Sequence, residues 1–176
     1  MPAHIFGNRD LLQFEIGPKD PQSFSMRRVD IYAVDTHVTA RDNSVYVPSF
    51  IFLLDRALKS FRKGTRFQQR PDIFDELGPR DIHRILADDP DQYPDTGELP
   101  DLWGFLEFGD ITLQVLSFLI PTRGHLYLTC ETSQHGDAKE REVRIAEVSV
   151  EALTKAMTAT LEVVAAEYEG DKSSLS

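Results

Sequence analysis

The hydrophobic period of this 176-residue chain switches between two and three-to-four, yet never settles into the strand–helix alternation that a parallel sheet needs. Leu12, Phe14 and Ile16 alternate with Gln13 and Glu15, the pattern of a half-buried strand that Gly17-Pro18 stops. Val29, Ile31 and Ala33 share one face of a second strand over residues 26–34, and residues 35–43 predict a turn and a short third strand through Val38. From Pro48 the period changes. Phe50, Leu53, Leu54, Ala57, Leu58 and Phe61 recur at spacings of three and four, which predicts a helix whose C-terminal end Lys59, Arg62 and Lys63 complement and Gly64 caps in the left-handed conformation. A short helix is expected over 80–87, starting near Pro79, followed by an irregular loop over 88–101 that carries Pro90, Pro94, Gly97 and Pro100.

Further strands are expected over 103–108, 111–120, 125–131 and 142–148, with a polar turn over 135–139. Gly109-Asp110 and residues 121–124 supply short hairpin connections, which favours antiparallel neighbours. Ser149 then caps a long helix with Leu153, Met157, Leu161 and Val164 on one face, and Gly170 ends it. The expected fold is α+β: an antiparallel sheet of about five to seven strands with two main helices packed on it. Residues 1–170 read as a single domain and 171–176 as a frayed tail.

Charge is strongly segregated. Of a net charge of -10, residues 71–110 account for the whole, because 12 acidic residues there face only Arg80 and Arg84. Within that segment Asp88, Asp89, Asp91, Asp95, Glu98 and Asp101 follow one another with no basic residue between them. A field of this sign repels phosphates and attracts basic protein surfaces, so a protein partner is expected and nucleic acid is not. These six carboxylates, with Tyr93 as an exposed aromatic anchor, are the expected partner-binding residues. Trp103, Phe105 and Phe108 lie nearby but read as core.

Motifs for chemistry are missing. The histidines, His4, His37, His83, His125 and His135, show no metal-binding spacing, and the ten glycines form no phosphate-cradling loop, so neither metal nor cofactor is expected. Cys130 is the single cysteine; paired with His125 or His135 it would be a nucleophile, but its place at the end of an apolar alternating run favours a buried structural thiol. Glu107 and Asp110 are close enough in sequence for an acid–base pair, yet they flank an expected turn. The first twenty residues have neither a basic start nor an apolar run, and the apolar stretch near 111–120 is too short to span a bilayer, so a cytoplasmic protein without membrane partners is expected.

Ile5-Phe6-Gly7-Asn8, then Phe14-Glu15, a second strand and a helix beginning near Pro48, resemble the start of small bacterial immunity proteins from polymorphic toxin and contact-dependent growth-inhibition systems. The resemblance covers residues 5–62. It implies a cytosolic, non-catalytic protein that binds and neutralises a cognate toxin domain, often a nuclease, for which an acidic surface mimics the charge of the nucleic-acid substrate. A non-catalytic adaptor or assembly protein, and an enzyme without a recognisable motif, are the alternatives that composition and motifs leave open.

Overall fold

The computed structural model describes residues 1–94, 96–132 and 142–175. The fold is α+β, but the strands divide into two antiparallel sheets, one of five strands and one of four, instead of a single sheet of five to seven. The first sheet orders β1 (His4–Gly7), β2 (Leu12–Ile16), β3 (Met26–Ala33) and β4 (Thr36–His37), with β5 (Ser44–Tyr46) also pairing with β3. Phe14 lies opposite Ile31 and Ile16 opposite Val29, and all four side chains are buried. The period-two alternation therefore fixes the register, since a slip of one residue would turn the apolar set of the slipped strand outward.

The β3–β4 connection is two residues long, Val34 and Asp35, with φ of 48° and 61°. Those are the signs of a type I′ turn, and a β-branched residue enters that region at a cost of about 1–3 kcal/mol. Val34 is held there by burial and by its N–H donating to Leu11, while the Asp35 N–H donates to Arg9.

Helix α1 (Val47–Ser60) has Pro48 in its first turn and buries Val47, Phe50, Ile51 and Leu54. Gly64 does not cap it. Phe61 remains right-handed, its N–H reaching the carbonyls of Ala57 and Leu58, and the Ser60 hydroxyl donates to the Ala57 carbonyl at 2.6 Å. Two short helices follow, α2 (Pro71–Phe74) and α3 (Pro79–Asp88). Residues 99–103, expected to be loop running into a strand, form helix α4 (Leu99–Trp103), because Leu99, Leu102 and Trp103 have helical spacing and Pro100 is tolerated in a first turn.

The second sheet runs in the order β6 (Gly104–Phe105), β7 (Val115–Thr122), β8 (His125–Thr132) and β9 (Val143–Val148). The expected strand over 103–108 shrinks to the two residues of β6, and the one over 111–120 begins later, after a 3-10 turn at Asp110–Thr112. The turn expected over 135–139 lies outside the described residues. Ser149 caps α5 (Val150–Glu167), accepting from the Ala152 N–H at 3.1 Å. The helix ends at Glu167, where Arg27 on β3 donates to the carboxylate at 2.6 Å and His4 lies 3.0 Å away. Burial works to raise the Glu167 carboxyl, but these two partners hold it below the usual carboxylate range. Gly170 serves a different need from a cap: a Cβ there would fall 2.2 Å from the Tyr168 hydroxyl. Residues Lys172–Leu175, within the expected tail, form a 3-10 turn, with Leu175 packed on the main core.

Two hydrophobic cores result. The main one joins Phe14, Ile16 and Ile31 of the first sheet to Leu54 of α1, Leu119 and Leu128 of the second sheet, and Met157 of α5. A smaller one lies on the other face of the second sheet, where Phe118 and Ile120 of β7 meet Phe74, Ile82, Leu86, Leu99 and Trp103. Alternate residues of β7 thus serve different cores, and α3 and α4 form an outer layer. That layer carries the acidic segment.

Candidate functional site

The acidic segment is built as a shelf over the smaller core. After α3 the chain turns at Asp89, whose carbonyl accepts from the Gln92 N–H at 3.1 Å. Thr96 is buried beneath this turn, its hydroxyl set between the carbonyls of Pro90 and Tyr93, and its own carbonyl accepts from Leu99 at the start of α4. Leu99 and Trp103 then anchor α4 in the core. Asp88, Asp89, Asp91, Glu98 and Asp101 are left exposed along the outer side. Asp89, Asp91, Glu98 and Asp101 form no ion pair with any described residue. Asp95 lies outside the described residues.

Tyr93 departs from expectation. Instead of standing exposed as an anchor it is half-buried, its ring edge-on to Phe74 with centroids 6.1 Å apart. One side of the ring holds the shelf to the core, and the rest stays open to solvent.

Beside the shelf runs a cleft between α1, the α4–β6 junction and the segment leading into β7, made of two adjoining cavities of about 270 and 570 Å³. Leu53, Arg56, Asp101, Gly104 and Glu107 line both. The wall is held by unusual backbone: Leu106 is buried at φ 56° and Gly109 sits at φ 88°. Turning Leu106 into the left-handed region lets both it and Phe108 point into the core while Glu107, between them, faces out. The buried Thr112 hydroxyl closes this loop, accepting from the Phe108 N–H at 3.1 Å and donating to the Gly109 carbonyl at 3.0 Å. Gly104 is required for close approach, since a Cβ there would lie 2.7 Å from Glu107 Oε1 and 2.8 Å from the Pro100 carbonyl.

Charges in the smaller cavity are shifted by their setting. Burial lowers Arg66 to about 10, with Glu107 opposing, and raises Glu107 above its ordinary value, with Arg56 opposing and Asp101 adding. Arg66 Nη2 donates to the Gly104 carbonyl at 3.0 Å, whereas its buried Nη1 has no partner among the described residues. Glu107 and Asp110 both line the larger cavity together with the hydroxyl residues Thr112 and Ser117, and the described lining includes no histidine.

A second polar group lies wholly inside. His83 of α3, 0% exposed, has Nδ1 2.7 Å from Thr129 Oγ1 and Nε2 2.8 Å from Glu131 Oε2, and its ring meets Phe118 edge-on. Hydroxyl, imidazole and carboxylate in this order resemble a hydrolytic triad, yet Thr129 is also 0% exposed and bonds to the backbone of Phe118. Its role is to fasten α3 to the sheet. Sequence reasoning missed it because the partners lie 46 and 48 residues from His83; the one signal was that Thr129 and Glu131 are polar alternates in an apolar strand.

Cys130 is buried, and burial pushes its thiol up to about 11, with Thr36 and Arg144 offsetting part of the effect. His125 is five residues away along β8, on the opposite face, and its ring bonds to Glu147 at 2.6 Å; His135 lies outside the described residues. The folded protein should therefore resist alkylation by iodoacetamide at pH 8, and mass spectrometry should find the adduct only after addition of denaturant. Rapid labelling of the native state would mean a thiol far more open than this.

Comparison with family models, curated proteins and solved structures found no match. The reading of function thus rests on the residues themselves. Among the described residues no cluster of three or more His, Cys, Asp or Glu is placed to hold a metal ion, and no helix is long and apolar enough to cross a membrane.

Proposed function

We propose that this chain is a non-catalytic binding protein that neutralises a basic toxin domain, acting as an immunity protein through the acidic shelf formed by the end of α3, the following turn and α4. The observation that carries the reading is that Asp89, Asp91, Glu98 and Asp101 stand exposed, in no ion pair with any described residue, on a backbone pinned by Thr96, Leu99 and Trp103. Preorganised charge of one sign accelerates encounter with a surface of the other, and a fixed scaffold lowers the entropy lost on docking. The start Ile5-Phe6-Gly7-Asn8 and its likeness to immunity proteins supply the biological role.

The test is to identify the product of the neighbouring gene, co-express it with this chain, and follow association of the purified pair by stopped flow; a neighbour that is not a toxin would count against the reading. A variant carrying Asp89→Asn, Asp91→Asn, Glu98→Gln and Asp101→Asn should associate about tenfold or more slowly at low salt, with a flatter salt dependence. Its thermal midpoint should be unchanged, because the side chains are exposed. An unchanged rate would move the interface off the shelf, and failure of the chain to rescue growth against the toxin would remove the immunity role.

A further inference from the structure

We propose that the cleft beside the shelf is the apolar half of the partner interface and takes an apolar side chain carried on a lysine- or arginine-rich segment of the partner protein. The inference rests on the binding role proposed above and identifies where the hydrophobic contact is made. Leu113 and Leu116 are 76% and 39% exposed and line the larger cavity together with Leu53 and Leu86. Leucines in this position gain a great deal by being covered, and an apolar centre ringed by charge is the usual anatomy of a protein interface.

The rim specifies the partner's sign. Asp101, the last carboxylate of the shelf, borders both cavities; around the larger one, where the exposed leucines lie, Glu107 and Asp110 join it against Arg56, whereas Lys63 and Arg66 confine their charge to the smaller one. Shelf and cleft are therefore one continuous surface. The cleft is also preformed, because Leu106, Gly109 and Thr112 fix its wall before any partner arrives.

A second copy of this chain is a poor occupant. It would bring a net charge of -10 against carboxylates of the same sign.

The experiment uses the full chain and three labelled twelve-residue peptides: one lysine-rich with a central Leu-Trp pair, one lysine-rich with Gly-Ser in its place, and one glutamate-rich with Leu-Trp. Fluorescence anisotropy should show the first binding most tightly. Leu113→Ser with Leu116→Ser should weaken it by about tenfold while leaving the second peptide unaffected. Both leucines are exposed, so the thermal midpoint should hold and report that the variant is folded. Asp89→Asn with Asp91→Asn should weaken both lysine-rich peptides alike. Equal binding of the two lysine-rich peptides, indifferent to the leucines, would overturn the cleft while leaving the acidic shelf standing. Tighter binding of the glutamate-rich peptide, or no binding of the first, would also overturn it. So would a dimer in sedimentation that the leucine substitutions dissolve, since the occupant would then be a second copy.

Discussion

Replacing His83 with alanine should destabilise the protein by about 3–5 kcal/mol, from the hydrogen bonds withdrawn from two buried groups and the cavity that the lost ring leaves. The ring is completely enclosed and touches three things at once: the Thr129 hydroxyl at 2.7 Å, the Glu131 carboxylate at 2.8 Å and the Phe118 ring with centroids 5.1 Å apart. Alanine withdraws one hydrogen-bonding partner from each of two buried groups and leaves a cavity under α3. Glutamine, which keeps a polar head that reaches part of the way, should recover a share of the loss. Urea unfolding monitored by circular dichroism measures both variants. A midpoint for the alanine variant equal to that of the parent would mean that the histidine contributes nothing to holding α3. Binding to the partner offers the complementary reading, since α3 leads directly into the acidic turn.

Trp103→Ala should cost about 3–5 kcal/mol as well, the loss typical of truncating a large enclosed aromatic. Trp103 is 0% exposed and packs on Phe74 with centroids 5.9 Å apart at the centre of the smaller core. Here the functional consequence should exceed what stability alone suggests. The carboxylates of the shelf remain in the sequence, but α4 loses its anchor, so the charge is no longer held in one arrangement. Association with a basic partner should slow even at temperatures where the variant is fully folded. Trp103→Phe is the gentler control. It keeps most of the packing and removes an indole N–H that has no hydrogen-bond partner among the described residues. Because the chain has a single tryptophan, its emission reports on this core directly and should shift to the red as the shelf loosens. An alanine variant with parental midpoint and association rate would show that the shelf does not depend on the core beneath it.

Elements with a long, consistent period were legible in the sequence. The apolar series from Phe50 to Leu58 in α1 and the Ser149 cap of α5 are local signals, and β2 and β3 declare their buried faces by simple alternation. What local pattern does not encode is which strand neighbours which. With residues 47–103 taken up mainly by helices and turns, nothing in the alternation says whether the strands beyond join the first sheet or begin another, and they begin another. Short strands such as β5, at three residues, hold too few alternations to show a period. The acidic run was plain in the sequence, whereas its rigidity was not. That depends on Leu99 and Tyr93, which sit among prolines and aspartates and so look like loop residues, and on Trp103, which reads as the start of a strand. The cleft was invisible for a similar reason, being assembled from Leu53 and Arg56 on one side and residues some fifty positions later on the other. The buried His83 pair shares that fault, since its partners meet only through tertiary packing.

The division of labour along β7 has a consequence for how the chain finds its fold. Phe118 and Ile120 enter one core and Leu119 the other, while on β8 Leu128 and Cys130 face one way and Thr129 and Glu131 the opposite way. In a sheet with one wet face, a strand shifted by one residue is penalised once, by the apolar side chains it exposes. Here the misaligned strand would carry a glutamate into a greasy interior and withdraw its histidine's acceptor in the same movement. Pairing errors are punished on both sides together. The central hairpin thus acts as a proofreading element, and the outer helical layer can close over the sheet only once the alignment is right.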